Sequence, residues 1–266
     1  MLRANEKRIA VGAYVQDYGV TGRKRSNNGF LSSGLPITTN LTAWYDASVR
    51  ESIVMDSGGP YGANGGYVAT WKDISGNGCD LTNSLGNVYR PRYQDMGING
   101  LGAVCFPESP AYLISTGGPL HSRPCSALAV AVNVSSRNYK ALFGSQDALG
   151  LWFYINTAMH PYIVKDNTVG ILYATTLTIP YARPFAVGAF LDSVANQTVV
   201  ANLDGTEEST NNATALGGGE IQAGRTPGDG VYWPGMIGEI ILYSDYKGSS
   251  DRATLMTYLK NKWGTA

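Results

Sequence analysis

Residues 127–134 read ALAVAVNV, with Asn133 the only polar side chain among eight. Successive side chains of a β-strand point to opposite faces, so a strand of this composition has no face to offer water. It has to be covered on both sides, which demands layers of structure. Pro184–Leu191 (PFAVGAFL) and Met236–Tyr243 (MIGEIILY) repeat the pattern. Gly150–Ile155 (GLWFYI) and Gln197–Leu203 (QTVVANL) add two more runs rich in β-branched and aromatic residues and bounded by Gly, Pro, Asn or Asp. Asp204-Gly205, directly after QTVVANL, is a two-residue hairpin signal. The expectation is an all-β chain, with strands apolar on both faces where sheets are layered.

One segment breaks the β pattern. In Ser249–Trp263, Leu255, Met256, Leu259 and Trp263 recur at three- and four-residue spacing, and Gly264 follows. This predicts an amphipathic helix laid against the sheets, capped by Ser249 or Ser250, with Asp251 near its positive end and Gly264 as its stop. Only 15% of the 266 residues are charged, against 33 Gly and 17 Tyr, a balance that favours turn-rich β-structure over a helical bundle. A chain of this length buries roughly 70–75% of its unfolded surface and needs no disulfide or metal merely to fold.

Charge divides the chain in two. Residues 1–40 carry Arg3, Lys7, Arg8, Arg23, Lys24 and Arg25 against Glu6 and Asp17, a net +4; the remaining 14 basic and 18 acidic groups leave −4, and the whole is neutral. Neutrality gives no global attraction to nucleic acid or to anionic membranes. The arm is too polar to form a core of its own, and ordering it costs roughly 1–2 kcal/mol of backbone entropy per residue, so docking on another chain is expected. Arg23, Lys24 and Arg25 suit a polar groove between subunits. Ile9–Val15, with Tyr14, alternates as a strand added to a partner's sheet edge would, and Arg8 adds charge beside it. The domain boundary is drawn between a 1–40 anchoring arm and a 41–266 sandwich.

Cys79, Cys105 and Cys125 are far apart and odd in number, which predicts buried thiols rather than a disulfide framework. Neither a secretion signal nor an 18-residue apolar run is visible.

Three passages resemble the concanavalin A-like lectin/glucanase superfamily, in the laminin-G-like form common in phage virion and bacterial surface proteins. They are LTAWYDAS (Leu41–Ser48); VATWKDISGNGCDLTN (Val68–Asn83) with RPRY (Arg90–Tyr93) and NGLGAVCF (Asn99–Phe106); and Tyr232–Gly264, which contains Glu239 and the closing helix. The resemblance implies a two-sheet antiparallel jelly-roll sandwich over residues 41–264. Trp44 and Trp71 are expected to pack between the sheets, Asp73 to close a turn with Ser75, Gly76 and Asn77, and Glu239 to cap backbone amides.

Glucanases of the superfamily carry two carboxylates on one strand, as Glu-x-Asp-x-x-Glu, to meet the short separation that retaining hydrolysis needs. Glu239, Glu220 and Glu108 all lack that surround, so no catalytic residue is expected. His121 and His160, the only histidines, have no partner at a ligand spacing. No metal site or cofactor is assigned, although relatives hold a structural Ca²⁺ at the sandwich rim and Asp80, Asp147 and Asp229 offer loop oxygens. For sugar stacking the candidates are Tyr232 and Trp233, with Asp229 in the loop before them, and Trp152 with Tyr154. Tyr232 and Trp233 point to opposite faces if extended, so at most one is a platform; Trp152 and Tyr154 share a face and are equally candidates for core.

These readings converge on a non-catalytic structural or adhesive virion protein of a tailed phage, on capsid or tail. The arm would hold it to other virion subunits, as one copy of a homo-oligomer, while its sandwich meets a cell-surface glycan. The alternative is a free bacterial carbohydrate-binding protein or divergent glycoside hydrolase.

Overall fold

The structure, a computed structural model, describes residues 34–56, 64–83, 90–107, 110–135, 140–145, 152–155, 159–164, 171–215, 217–225 and 231–265. The first strands are β1 (Leu41–Asp46), β2 (Ile53–Met55), β3 (Val68–Trp71), β4 (Leu81–Thr82), β5 (Arg92–Ile98) and β6 (Leu101–Phe106). Next come β7 (Leu113–Ser115), β8 (Cys125–Asn133), β9 (Lys140–Ser145), β10 (Trp152–Ile155), β11 (Pro161–Val164) and β12 (Ile171–Ala174). The chain continues with β13 (Pro184–Leu191), β14 (Thr198–Leu203), β15 (Thr206–Asn211), β16 (Ile221–Ala223) and β17 (Gly235–Tyr243), then the helix α1 (Ser249–Trp263).

The strands form two antiparallel sheets. One has eight strands in the order β15-β14-β13-β8-β17-β6-β5, with β1 also on β17; the other has nine, in the order β12-β11-β10-β9-β16-β7-β4-β3-β2. Together they make the expected antiparallel sandwich. β17 is its hinge element: one edge pairs with β8, while the other pairs with β6 through Gly235–Ile237 and with β1 through Glu239–Tyr243.

Alternation explains why β8 has no polar face. Cys125, Ala127, Ala129 and Ala131 face the core between the sheets, whereas Leu128, Val130 and Val132 face a second core beneath α1. The molecule therefore has three layers: sheet, sheet and helix. Alanines from β8, with Ala43 and Ala189, leave room in the inter-sheet core for Trp71, Trp233, Phe143 and Phe185. Leu255, Met256, Leu259 and Trp263 of α1 are buried against the other face of the eight-stranded sheet.

The helix spans the expected residues, with a different cap. Gly248 occupies the N-cap and no side chain caps it; Gly264 ends the helix in the left-handed region at φ 65°, its N–H on Lys260 O at 2.8 Å. Asp204 (φ 50°) and Gly205 (φ 93°) make the two-residue turn between β14 and β15, where Leu203 pairs with Thr206.

Residues 35–40 belong to the sandwich, not to the arm as the boundary at residue 40 had it. Leu35 is buried in the helix-side core, Tyr243 Oη donates to Ile37 O at 2.8 Å, and the buried Lys247 Nζ donates to Thr39 O at 2.8 Å. The compact unit accordingly begins at Leu35. All three cysteines are free; Cys125 is buried, its thiol pushed up to about 12 by desolvation, but Cys79 and Cys105 are only half-buried, a departure from the expectation of fully buried thiols.

Candidate functional site

Two polar constellations stand out, and the sequence places carboxylates in both. The first lies under α1. β17 carries a bulge between Ile237 and Glu239 relative to β8, and this extra residue resets the alternation so that Glu239 faces the helix. There its carboxylate is fully buried and meets four side-chain donors. Trp44 Nε1 (2.6 Å) and Tyr258 Oη (2.9 Å) donate to Oε1, and Trp263 Nε1 (2.5 Å) and Lys262 Nζ (3.0 Å) to Oε2. Asp46, paired with Glu239 across the strands and 2% exposed, takes Lys262 Nζ as well and the N–H and Oγ of Ser48. Burial raises the proton affinity of Glu239 first, the Asp46 charge adds to this, and Lys262 opposes both.

This cluster is a structural lock. Glu239 holds side chains, not the backbone amides expected of it, and both carboxylates are buried. Trp44 also departs from expectation: Ala43 and Tyr45 face the inter-sheet core, so Trp44 lies on the helix side, half-buried, with its N–H on Glu239. Trp71 does pack between the sheets, its ring 6.0 Å from that of Tyr45. Asp73 closes its turn as expected, accepting from the backbone N–H of Trp44, Ser75 and Cys79.

The second constellation lies on the outer face of the nine-stranded sheet. Leu81, Leu113, Ile221 and Ala223 enter the inter-sheet core, so the intervening Thr82, Ile114 and Gln222 fall on the opposite face. The ladder sets them in one row: Thr82 pairs with Ile114, and Ile114 with Gln222. Over this row opens a cleft of about 520 Å³, lined by Thr82, Asn83, Tyr112, Ile114, Thr116 and Glu220, with Ser115 and Gly117 completing it. Its parts are rigidly held. Asn83 Nδ2 donates to Tyr112 O at 2.7 Å, and Ser115 Oγ donates to Gly117 O at 3.0 Å while accepting Ile221 N–H at 2.8 Å. The Arg225 guanidinium packs 4.2 Å from the centroid of the Tyr112 ring.

Of the residues singled out from the sequence, Trp233 is in the wrong place for a sugar platform. It is fully buried, edge-on to Phe185 with ring centroids 6.2 Å apart, because β17 and its lead-in bring it between the sheets. Tyr232 is half-buried and bridges Arg225. Trp152 pairs with Gly144, which itself pairs with Gln222, so its backbone extends the row of the cleft; its side chain and that of Tyr154 lie outside the described residues. Asp229, Asp147 and the arm residues Arg8, Tyr14, Arg23, Lys24 and Arg25 also lie outside them. Asp80 Oδ1 accepts the Asp73 N–H, and no three metal-ligating side chains converge among the described residues.

Sequence reasoning missed the cleft residues. One signal was present: Glu220-Ile221-Gln222-Ala223 alternates polar with apolar, the mark of a strand with one outward face.

No family model and no curated protein matches the chain. Solved structures do. Domain 4 of a GH43 extracellular arabinanase from Geobacillus stearothermophilus, determined in complex with arabinotriose, aligns with a TM-score of 0.58 at 17% identity over 82% of this chain and 98% of that domain. Trypanosoma rangeli sialidase, in complex with a difluorinated sugar acid, aligns with a TM-score of 0.52 at 13% identity over 87% of this chain. This chain spans about a third of the sialidase, 34% of its length. The class that the fold defines is a two-sheet antiparallel β-sandwich closed by one helix.

Proposed function

We propose that this protein is a non-catalytic, lectin-like glycan-binding sandwich, and that the cleft over Thr82, Ile114 and Glu220 is its sugar site. The observation that carries the reading is the cleft itself: about 520 Å³, with hydroxyl, amide and carboxylate groups around one aromatic residue, the mixture that hydroxyl-rich ligands need. The likeness to an arabinanase domain determined with arabinotriose supports it. The finer part of the proposal is that the sandwich is an outer component of a tailed-phage particle, on capsid or tail, tethered by its basic arm.

Binding without turnover is favoured over glycoside hydrolysis. Asp46 and Glu239 are adjacent, but at 2% and 0% exposure, held by one lysine, neither meets a substrate. Among the described lining residues of the cleft, Glu220 is the sole carboxylate, and retaining or inverting hydrolysis needs two.

The test is to pass the full chain over immobilised neutral oligosaccharides, arabino-oligosaccharides included, and to assay the eluate for reducing sugar. Retention that weakens in Glu220→Ala, with no sugar released, supports the proposal. Turnover that disappears in Glu239→Gln points instead to a glycosidase, and absence of retention on every sugar rejects the cleft. Co-sedimentation with phage particles, lost on deleting residues 1–34, tests the tether.

A further inference from the structure

Lys140, the first residue of β9, is 1% exposed, and its hydrogen bond among the described residues is to a thioether. Nζ donates to Met159 Sδ at 3.5 Å, and the same sulfur takes Asn133 Nδ2, also at 3.5 Å. The other fully buried lysine shows what such a charge ordinarily needs: Lys247 Nζ pairs with Asp245 and donates to Thr39 O. Sulfur is a weak acceptor, and an ammonium taken out of water without a counter-charge is far less favourable than the neutral amine. Burial accordingly pushes the Lys140 pKa below the usual lysine value.

The amine sits at a joint. Met159 O accepts the Ile179 N–H and Asn133 O the Ala182 N–H, both at 2.8 Å, so the sulfur on which Lys140 and Asn133 meet ties residues 179–182 to the end of β8. Two of the tied residues, Met159 at φ 64° and Ala182 at φ 53°, hold the left-handed region without being glycine, a conformation that persists only where the surroundings impose it. The joint covers core: Ile179 is buried, and Leu177 and Met159 pack against the inter-sheet cluster. The titratable groups described on the elements that meet here are His160, whose Nδ1 bonds Leu177 O, Tyr181, whose Oη donates to Val134 O, the exposed Arg183, and Glu208, which takes the N–H and Oγ1 of Thr176. None of them is bonded to Lys140.

We propose that Lys140 is a proton-operated latch on this end of the sandwich. With the amine neutral, the joint is closed over the core. When the amine takes up a proton, the ammonium leaves Met159 for water, and residues 159 and 179–182 come away from β8. The closed form holds a neutral amine and the open form an ordinary lysine. Opening therefore gains about tenfold for each pH unit below the ordinary lysine value, and levels off once the closed form also binds the proton.

Amide hydrogen exchange of the full chain, followed by NMR as the pH is lowered from the ordinary lysine range, tests this. Base-catalysed exchange of an amide with a fixed opening equilibrium slows about tenfold per pH unit, and a latch that opens at the same rate cancels the slowing. The Ile179 and Ala182 N–H groups are expected to exchange at nearly constant rates, while the Asp204 N–H, held on Ala186 O, slows in the ordinary way. Lys140→Met and Lys140→Leu are each expected to return Ile179 and Ala182 to the ordinary slowing. Nitrogen-15 spectra of lysine-labelled protein are expected to show Lys140 still a neutral amine at pH values where the exposed lysines are already ammonium; this readout needs no substitution and decides the matter if neither variant folds. Ordinary slowing at Ile179 and Ala182 in the parent, or a Lys140 that titrates together with the exposed lysines, overturns the proposal. So does a constancy that survives in both variants, which would place the proton on another group, His160 foremost.

Discussion

Trp263, the last residue of the closing helix, donates its indole N–H to Glu239 Oε2 at 2.5 Å while its ring lies where a side chain on Gly238 would have to go: a Cβ built there meets the ring at 2.7 Å. The bulge that turns Glu239 toward the helix and the missing side chain that admits the tryptophan are thus adjacent residues with one purpose. Gly238→Ala separates the two effects by blocking the ring and leaving the carboxylate. It is expected to destabilise the fold by about 1–3 kcal/mol, as overpacking does. Urea unfolding followed by tryptophan fluorescence measures it, and a midpoint equal to that of the parent would mean the ring has room to shift.

Lys262 holds two buried carboxylates at once. Lys262→Met leaves Asp46 and Glu239 facing each other without a cation, and removing one partner of a buried ion pair costs about 3–5 kcal/mol near neutral pH. The pH dependence follows from Glu239, whose proton affinity in the fold is raised by burial and by Asp46. A carboxyl with a raised folded pKa favours folding below its unfolded value and loses that contribution as pH rises through the folded value. The deficit of Lys262→Met is therefore expected to shrink on acidification toward pH ~4. A deficit that stays constant from pH 7 to pH 4 would show that the lysine acts by packing alone.

Glu207 has the opposite sign. Its carboxylate takes a bidentate pair from Arg252, Nε to Oε1 and Nη2 to Oε2, both at 2.7 Å. That hydrogen bonding is the first cause holding its pKa below the usual value of 4.5. A depressed pKa contributes stability that is present above the unfolded value and lost as pH falls through the folded one. Glu207→Gln is expected to lie below the parent in melting temperature at pH 7 and to merge with it near pH 3. Parallel melting curves across that range would rule the pair out as a source of pH dependence.

Residues 35–40 are anchored by Leu35 burial and by the bonds from Tyr243 Oη and Lys247 Nζ. Two truncations, one removing residues 1–34 and one removing 1–40, differ only in that segment. The longer deletion strands the buried Lys247 ammonium without Thr39 O, so it is expected to be less stable than the shorter one by about 1–3 kcal/mol. Equal thermal midpoints would mean that the sandwich ends at residue 41 after all.

Local chemistry made much of the fold legible in the sequence. A strand such as ALAVAVNV can only lie between two layers, Asp204-Gly205 can adopt positive φ at both positions, and the apolar spacing in Ser249–Trp263 with Gly264 behind it can only be a docked helix. Each of these depends on residues within a turn or two of one another. What the sequence alone left open was the face on which a side chain falls in a strand buried on both sides. Trp44 and Trp233 are equally apolar candidates in the text, yet the register of β1 on β17 puts one beside Glu239 and packing puts the other against Phe185. Glu239 faces the helix only because Gly238 is an extra residue relative to β8, a pairing across more than a hundred residues. The cleft likewise exists only once β4, β7 and β16 are neighbours, bringing Thr82, Ile114 and Gln222 into one row. Composition and period specify elements and layers; long-range register and its bulges specify which side chains meet.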